Sequence, residues 1–184
     1  MVKKKTIPPQ IFTLAKDLGL KASDDPAGSV IAHCEKQVAG FIDEMDRCQS
    51  LSALLDWVAS KVGTIIEEIF CDSDVDLIKN KYVSEGEKVF ANLEAELSED
   101  IFGVTFRRQN KKPWERPFVS VIDRRGNKAA RSYFTKWHEI AHLLTLTTQM
   151  RLVFRRTHVD FGNQDPEERL MDRIAGRLGF YGPI

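Results

Sequence analysis

Between Ala129 and Leu146 the apolar residues Tyr133, Phe134, Trp137, Ile140, Ala141 and Leu144 recur at helical spacing, and within that run stands His138-Glu139-Ile140-Ala141-His142. Residues four apart on a helix leave it on the same face, so His138 and His142 can offer two ring nitrogens to one tetrahedral zinc ion at about 2.0–2.1 Å. Glu139 points to the edge of that face. There its carboxylate can take a proton from a water made acidic by the metal and later pass it to a leaving amine. The spacing predicts a zinc centre with its own general base, carried on a helix.

A third ligand must come from another part of the chain. The metzincin arrangement needs Gly and His three and six residues beyond the second histidine, and Thr145 and Thr148 stand there instead. Downstream, Glu168-Arg169-Leu170-Met171-Asp172 puts two carboxylates four apart on a helix that Asp165 and Pro166 can start. Glu168 is then a candidate ligand, as in gluzincins, and Asp172 a candidate to orient a ligand histidine through its other ring nitrogen. Other roles stay open. Glu168 could close a capping box with Asp165, and Glu167 competes as ligand. His158 is a rival third ligand, a hydrogen-bond donor to a substrate oxyanion, or an inert surface histidine. His33 reads as an ordinary helix-face residue.

The remainder of the chain has the composition of a folded domain. With 184 residues, 42% of them hydrophobic, it can bury a sizeable core. Lys plus Arg and Asp plus Glu both number 27, so no global basic field points to nucleic acid, and direct nucleic-acid binding is not expected. The local basic cluster Arg107, Arg108, Lys111, Lys112, Arg124 and Arg125 reads as a solvated face, with docking of an acidic partner or DNA as the alternative. Cys34, Cys48 and Cys71 lack any C-x-x-C spacing, which disfavours a disulfide framework or a cysteine-built zinc knuckle and suits a reducing cytoplasm. Pro8, Pro9, Gln10, Lys16 and Asp17 interrupt any signal-like apolar run after Lys3, Lys4 and Lys5, and no stretch approaches the roughly 20 apolar residues of a membrane span.

Two regions are distinguished by hydrophobic period, with a soft boundary at Ser50: a helical N-terminal extension over 1–49 and a metallopeptidase-like domain over 50–184. In the first, Val30, Ile31, Cys34, Val38, Phe41, Ile42 and Met45 form one helical stripe approached by Asp24, Asp25 and Pro26. Ser50 can cap a second helix that buries Leu51, Leu54, Leu55, Val58 and Val62 and ends at Gly63. Thr64 to Phe70 suits a strand. Ser84 and Glu87 suggest a capping-box start for a helix carrying Val89, Phe90, Leu93 and Leu97, or one beginning earlier near Asp74. Phe102–Arg107 and Pro117–Asp123 read as strands joined by a polar loop, the second being either a sheet edge open to an extended substrate or an ordinary inner strand. The fold class expected is α+β, with a small mixed sheet packed on the motif helix.

The run Arg131-Ser132-Tyr133-Phe134-Thr135 directly before the histidine motif, together with Glu168, Asp172 and Ala175, resembles the signatures of the ImmA/IrrE-type metallopeptidases over roughly residues 50–183. The chain departs from them at Ile140-Ala141, where Leu-Gly is usual, and at Met171, where Ala is usual. The resemblance implies a zincin-like fold, His138, His142 and Glu168 as zinc ligands, and Glu139 as general base. It also implies a zinc-dependent endopeptidase of limited specificity whose protein substrate is a helix-turn-helix repressor. The alternative is a zinc-containing module that binds a repressor or DNA without cutting.

Overall fold

The computed structural model describes residues 8–46, 50–97, 100–147 and 165–180, and the backbone alone of 155–158 and 181. Helix α1 spans Pro9–Asp17 and α2 spans Pro26–Asp43. Pro26 occupies the first turn of α2, and Asp25 accepts a hydrogen bond from Gly28 N at 2.9 Å, an N-cap that explains why the helix starts there. Helix α3, Leu51–Lys61, is capped by Ser50 through Ala53 N. Gly63 follows with φ +79°, and a Cβ there would also stand 3.1 Å from Pro117 Cδ, so only glycine suits this turn into strand β1, Thr64–Ile69.

Helix α4 spans Asp72–Ser84. Ser84 therefore ends a helix rather than starting one, and the earlier of the two expected starts, near Asp74, is the observed one. The capping box there joins Cys71 and Asp74, whose carboxylate accepts from Phe70 N and Cys71 N. The Glu87 side chain makes no cap hydrogen bond, because it accepts from Gln109 N, Asn110 N and Arg108 Nε and so ties the next hairpin to the end of α4. Val89, Phe90 and Leu93 sit in a 3₁₀ turn, Lys88–Asn92, and the short helix α5, Leu93–Glu96.

Strands β2, Ile101–Arg107, β3, Phe118–Asp123, and β4, Arg155–His158, complete a four-stranded sheet in the order β1-β3-β2-β4. β3 runs parallel to β1 and antiparallel to β2, and β4 lies antiparallel along the other side of β2. The sheet is mixed and the fold is α+β, as expected. β3 is flanked on both sides and buried at every position, so of the two readings left open for Pro117–Asp123 the inner strand is the observed one. Pro117 precedes the ladder instead of sitting in it, and its carbonyl accepts from Arg108 N.

The period-two alternation divides the sheet into two faces. Val104, Phe106, Val119 and Val121 face α4, where Tyr82 stacks on Phe90 with centroids 4.3 Å apart and Phe90 meets Phe106 in a tilted contact at 4.5 Å. The opposite face receives α6, Ser132–Leu144, entered through a 3₁₀ turn at Gly126–Arg131. Helix α7, Pro166–Gly176, lies on α6 and continues into a π-helical turn, Arg177–Tyr181. One apolar cluster joins Leu14, Val30, Cys34 and Val58 from α1–α3 to Ile140 of α6 and Ile174 of α7. Residues on both sides of the boundary at Ser50 thus share a core, and each such side chain contributes about 1.5–3 kcal/mol by leaving water. No helix among the described residues is long and apolar enough to cross a membrane.

The turn from β3 into α6 is pinned by charge. Asp123, buried at the end of β3, accepts from Arg125 Nε and Nη2 at 2.9 Å and from Lys128 Nζ at 2.8 Å, and Lys128 also donates to Ile101 O. These bonds fix where α6 begins and hence which of its residues face the sheet and which face α7.

Candidate metal centre

Helix α6 buries three ionisable side chains in succession along its inner surface: His138, Glu139 and His142 are all at most 3% exposed. Buried groups of this kind need partners, and α7 supplies those of the two histidines. Leu170, Met171, Ile174 and Ala175 pack the two helices together. Met171 fills the space beneath Thr145, whose hydroxyl lies 3.5 Å from Sδ. That contact gives a packing reason for methionine here. With the helices so placed, Glu168 and Asp172 fall opposite the histidines.

His138 Nε2 and His142 Nε2 face each other at 3.0 Å, and Glu168 Oε2 lies 3.2 Å from the first and 3.5 Å from the second. Donor atoms held about 2.0–2.1 Å from a tetrahedral ion stand roughly 3.3–3.4 Å from one another. The spacing of the three atoms therefore fits a zinc-sized ion, and two imidazoles with one carboxylate are a donor set that such an ion takes. Behind them, His138 Nδ1 donates to Asp172 Oδ1 at 2.8 Å, which turns Nε2 toward the cluster. Burial alone would push the His138 pKa down. The hydrogen bonds to Asp172 and Glu168 and the nearby Glu139 charge outweigh it and raise the value to about 9. Burial likewise opposes ionisation of Glu168, yet the hydrogen bonds from His138 and His142 hold its carboxyl well below the usual carboxylate range. The negative potential that favours a proton on His138 equally favours a divalent cation.

Two of the alternatives left open by the sequence can be placed. Glu168 does not close a capping box, because Asp165 accepts from Glu167 N while the Glu168 carboxylate turns to the histidines. Among the described residues the one group of three side chains able to hold a metal is His138, His142 and Glu168, so Glu167 is not part of it. His33 lies apart, 2.7 Å from Gln37 Nε2 on α2. The backbone of His158 pairs with Ile101 at the end of β4, and its side chain lies outside the described residues.

Two residues that the sequence does not single out bear on Glu139. Its Oε2 accepts from Thr105 Oγ1 at 2.6 Å, and its Oε1 lies against Gly103. The only sequence signal for them is the strand alternation that puts Gly103 and Thr105 on one face of β2. An aromatic group also borders the site: the Phe134 ring is 6.4 Å from those of His138 and Phe180, and Phe180 meets Tyr133 edge-on.

Half of the basic cluster is paired within the fold, while Arg107 and Lys112 are exposed. Arg108 is buried against Glu85, Glu87 and Glu115, Arg124 pairs with Glu68, and Arg125 with Asp123 and Asp72. Cys34 and Cys71 carry free thiols, with burial pushing that of Cys34 up to about 12, and Cys48 lies outside the described residues. No protein-family model matches the chain, and no curated protein and no solved structure matches it either.

Proposed function

We propose that this chain is a zinc-dependent endopeptidase of the zincin type, with His138, His142 and Glu168 as ligands and Glu139 as general base. The observation that carries this reading is the convergence of His138 Nε2, His142 Nε2 and Glu168 Oε2 within 3.5 Å, two of them from an H-E-x-x-H helix. Zinc bound there would act as a Lewis acid on a peptide carbonyl and acidify the attacking water. The chain's own residues do the rest. Asp172 holds the His138 tautomer that presents Nε2, Glu139 accepts the proton of the water and returns it to the departing amine, and α7 closes the site on the side away from the sheet.

The ImmA/IrrE-like motifs add a substrate to this proposal, a helix-turn-helix repressor, and free thiols at Cys34 and Cys71 suit a cytoplasmic setting. One observation favours the second reading, a zinc-holding module that binds without cutting: β4 already takes the outer edge of β2, the strand that touches Glu139. The two readings part at Glu139→Gln. If the chain is a peptidase, the variant keeps its zinc and loses cleavage of a co-expressed helix-turn-helix repressor by about 100-fold or more. Cleavage at the wild-type rate in that variant, or biological activity that survives the substitution, rules the peptidase out.

A further inference from the structure

Glu139 is held from the sheet side by a line of hydroxyl groups. Thr105 Oγ1 on β2 is 2.6 Å from Glu139 Oε2, Ser120 Oγ on β3 is 2.7 Å from Thr105, and Thr64 Oγ1 on β1 is 2.9 Å from Ser120. Thr105 and Ser120 are direct partners in the antiparallel ladder, so the line crosses three strands on the face toward α6. All four side chains are buried, none more than 1% exposed. An ionised carboxylate can only accept, which commits the single hydroxyl proton of Thr105 to Glu139. Ser120 must then donate to Thr105, and Thr64 to Ser120 in preference to its longer 3.2 Å contact with Ile65 O. Every proton points toward Glu139, and bonds arranged in this way reinforce one another.

Two observations show that the arrangement is specific to the carboxylate. On the opposite face the same two strands present Val104, Phe106, Val119 and Val121, so apolar residues are what this sheet buries where no carboxylate is met. Gly103, two residues before Thr105, leaves the space that Glu139 needs: a Cβ there would stand 2.9 Å from Oε1 and 2.8 Å from Thr135 Cγ2.

We propose that Thr105, backed by Ser120 and Thr64 and given room by Gly103, is a positioning residue that fixes the orientation of the Glu139 carboxylate for proton transfer. The proposal rests on the peptidase reading above. It is tested on the zinc-loaded chain with a fluorescence-quenched peptide library and, independently of activity, by the infrared carboxylate band that disappears in Glu139→Gln. Thr105→Val is expected to keep the wild-type zinc content, lower kcat by about 10- to 100-fold with little change in KM, and shift the band; Thr105→Ser restores both. Ser120→Ala, which leaves Thr105 in place, moves both readouts the same way by less and serves if Thr105→Val does not fold. An unmoved band in Thr105→Val or Ser120→Ala, or Thr105→Ser as impaired as Thr105→Val, overturns the proposal. A wild-type chain that cuts neither the library nor a co-expressed helix-turn-helix repressor sinks the peptidase reading instead, and the band still decides whether Thr105 sets the carboxylate.

Discussion

Asp172 meets His138 at Nδ1, and this leaves Nε2 facing His142 and Glu168. A ligand histidine loses its fixed tautomer and some basicity when such a partner is removed, so Asp172→Ala should weaken zinc binding by about 10- to 100-fold in a chelator competition. Unchanged affinity would reduce Asp172 to a contact between α6 and α7. That His138 and His142 share one helix face, and Glu168 and Asp172 another, was legible in the sequence because one-turn spacing fixes the face by itself; which role Glu168 plays was not. Nor were Thr105 and Gly103. Their approach to Glu139 depends on how α6 crosses β2, a tertiary relation with no local spacing to read.

At the scale of elements, the helices with a clean apolar stripe and a capping residue or proline at the start, such as α2, α3 and α7, could be read directly from the chain, as could the stripe of α6. The region of Ser84 could not. Its Ser-x-x-Glu pattern mimics a helix start, while the turn after α4 needs Gly86 at φ +87° and Glu87 is drawn to the β2–β3 hairpin. The place of β3 was also hidden, since a proline before an alternating run suits an edge, and the covering strands β1 and β2 come from elsewhere in the chain. The element that matters most for the site is the turn into α6, held by Asp123. Burial disfavours its charge, but Arg125 and Lys128 outweigh burial and hold its carboxyl below the ordinary value. A carboxylate depressed in the folded state contributes its stability above the unfolded pKa, about 3.9, and loses it as pH falls through the lower folded value. Asp123→Asn leaves Lys128 without its buried counter-charge and should cost about 3–5 kcal/mol in urea unfolding at pH 7. The gap to wild type should narrow as the pH is lowered below about 4. Parallel pH curves for the two proteins would show that Asp123 does not anchor the turn electrostatically.

Across the whole molecule, α6 is clamped between the sheet on one side and α7 with the N-terminal helices on the other. Gln37 of α2 reaches the carbonyl of Leu144 at the end of α6, and Arg177 beyond α7 pairs with Glu35 of α2. The N-terminal helices thus brace both elements that bring His138, His142 and Glu168 together, which the break in hydrophobic period near Ser50 did not foretell. The three candidate donors already lie within 3.5 Å of one another, and two imidazoles with a carboxylate so placed should take up zinc stoichiometrically. Elemental analysis of the purified chain, dialysed against zinc and then against metal-free buffer, measures this directly. About one zinc per chain is expected for the wild type, with loss of the metal in His138→Ala, His142→Ala and Glu168→Ala and retention in Glu139→Gln. A wild-type chain that holds no zinc, or variants at the three ligand positions that hold as much as the wild type, would contradict a metal centre at His138, His142 and Glu168.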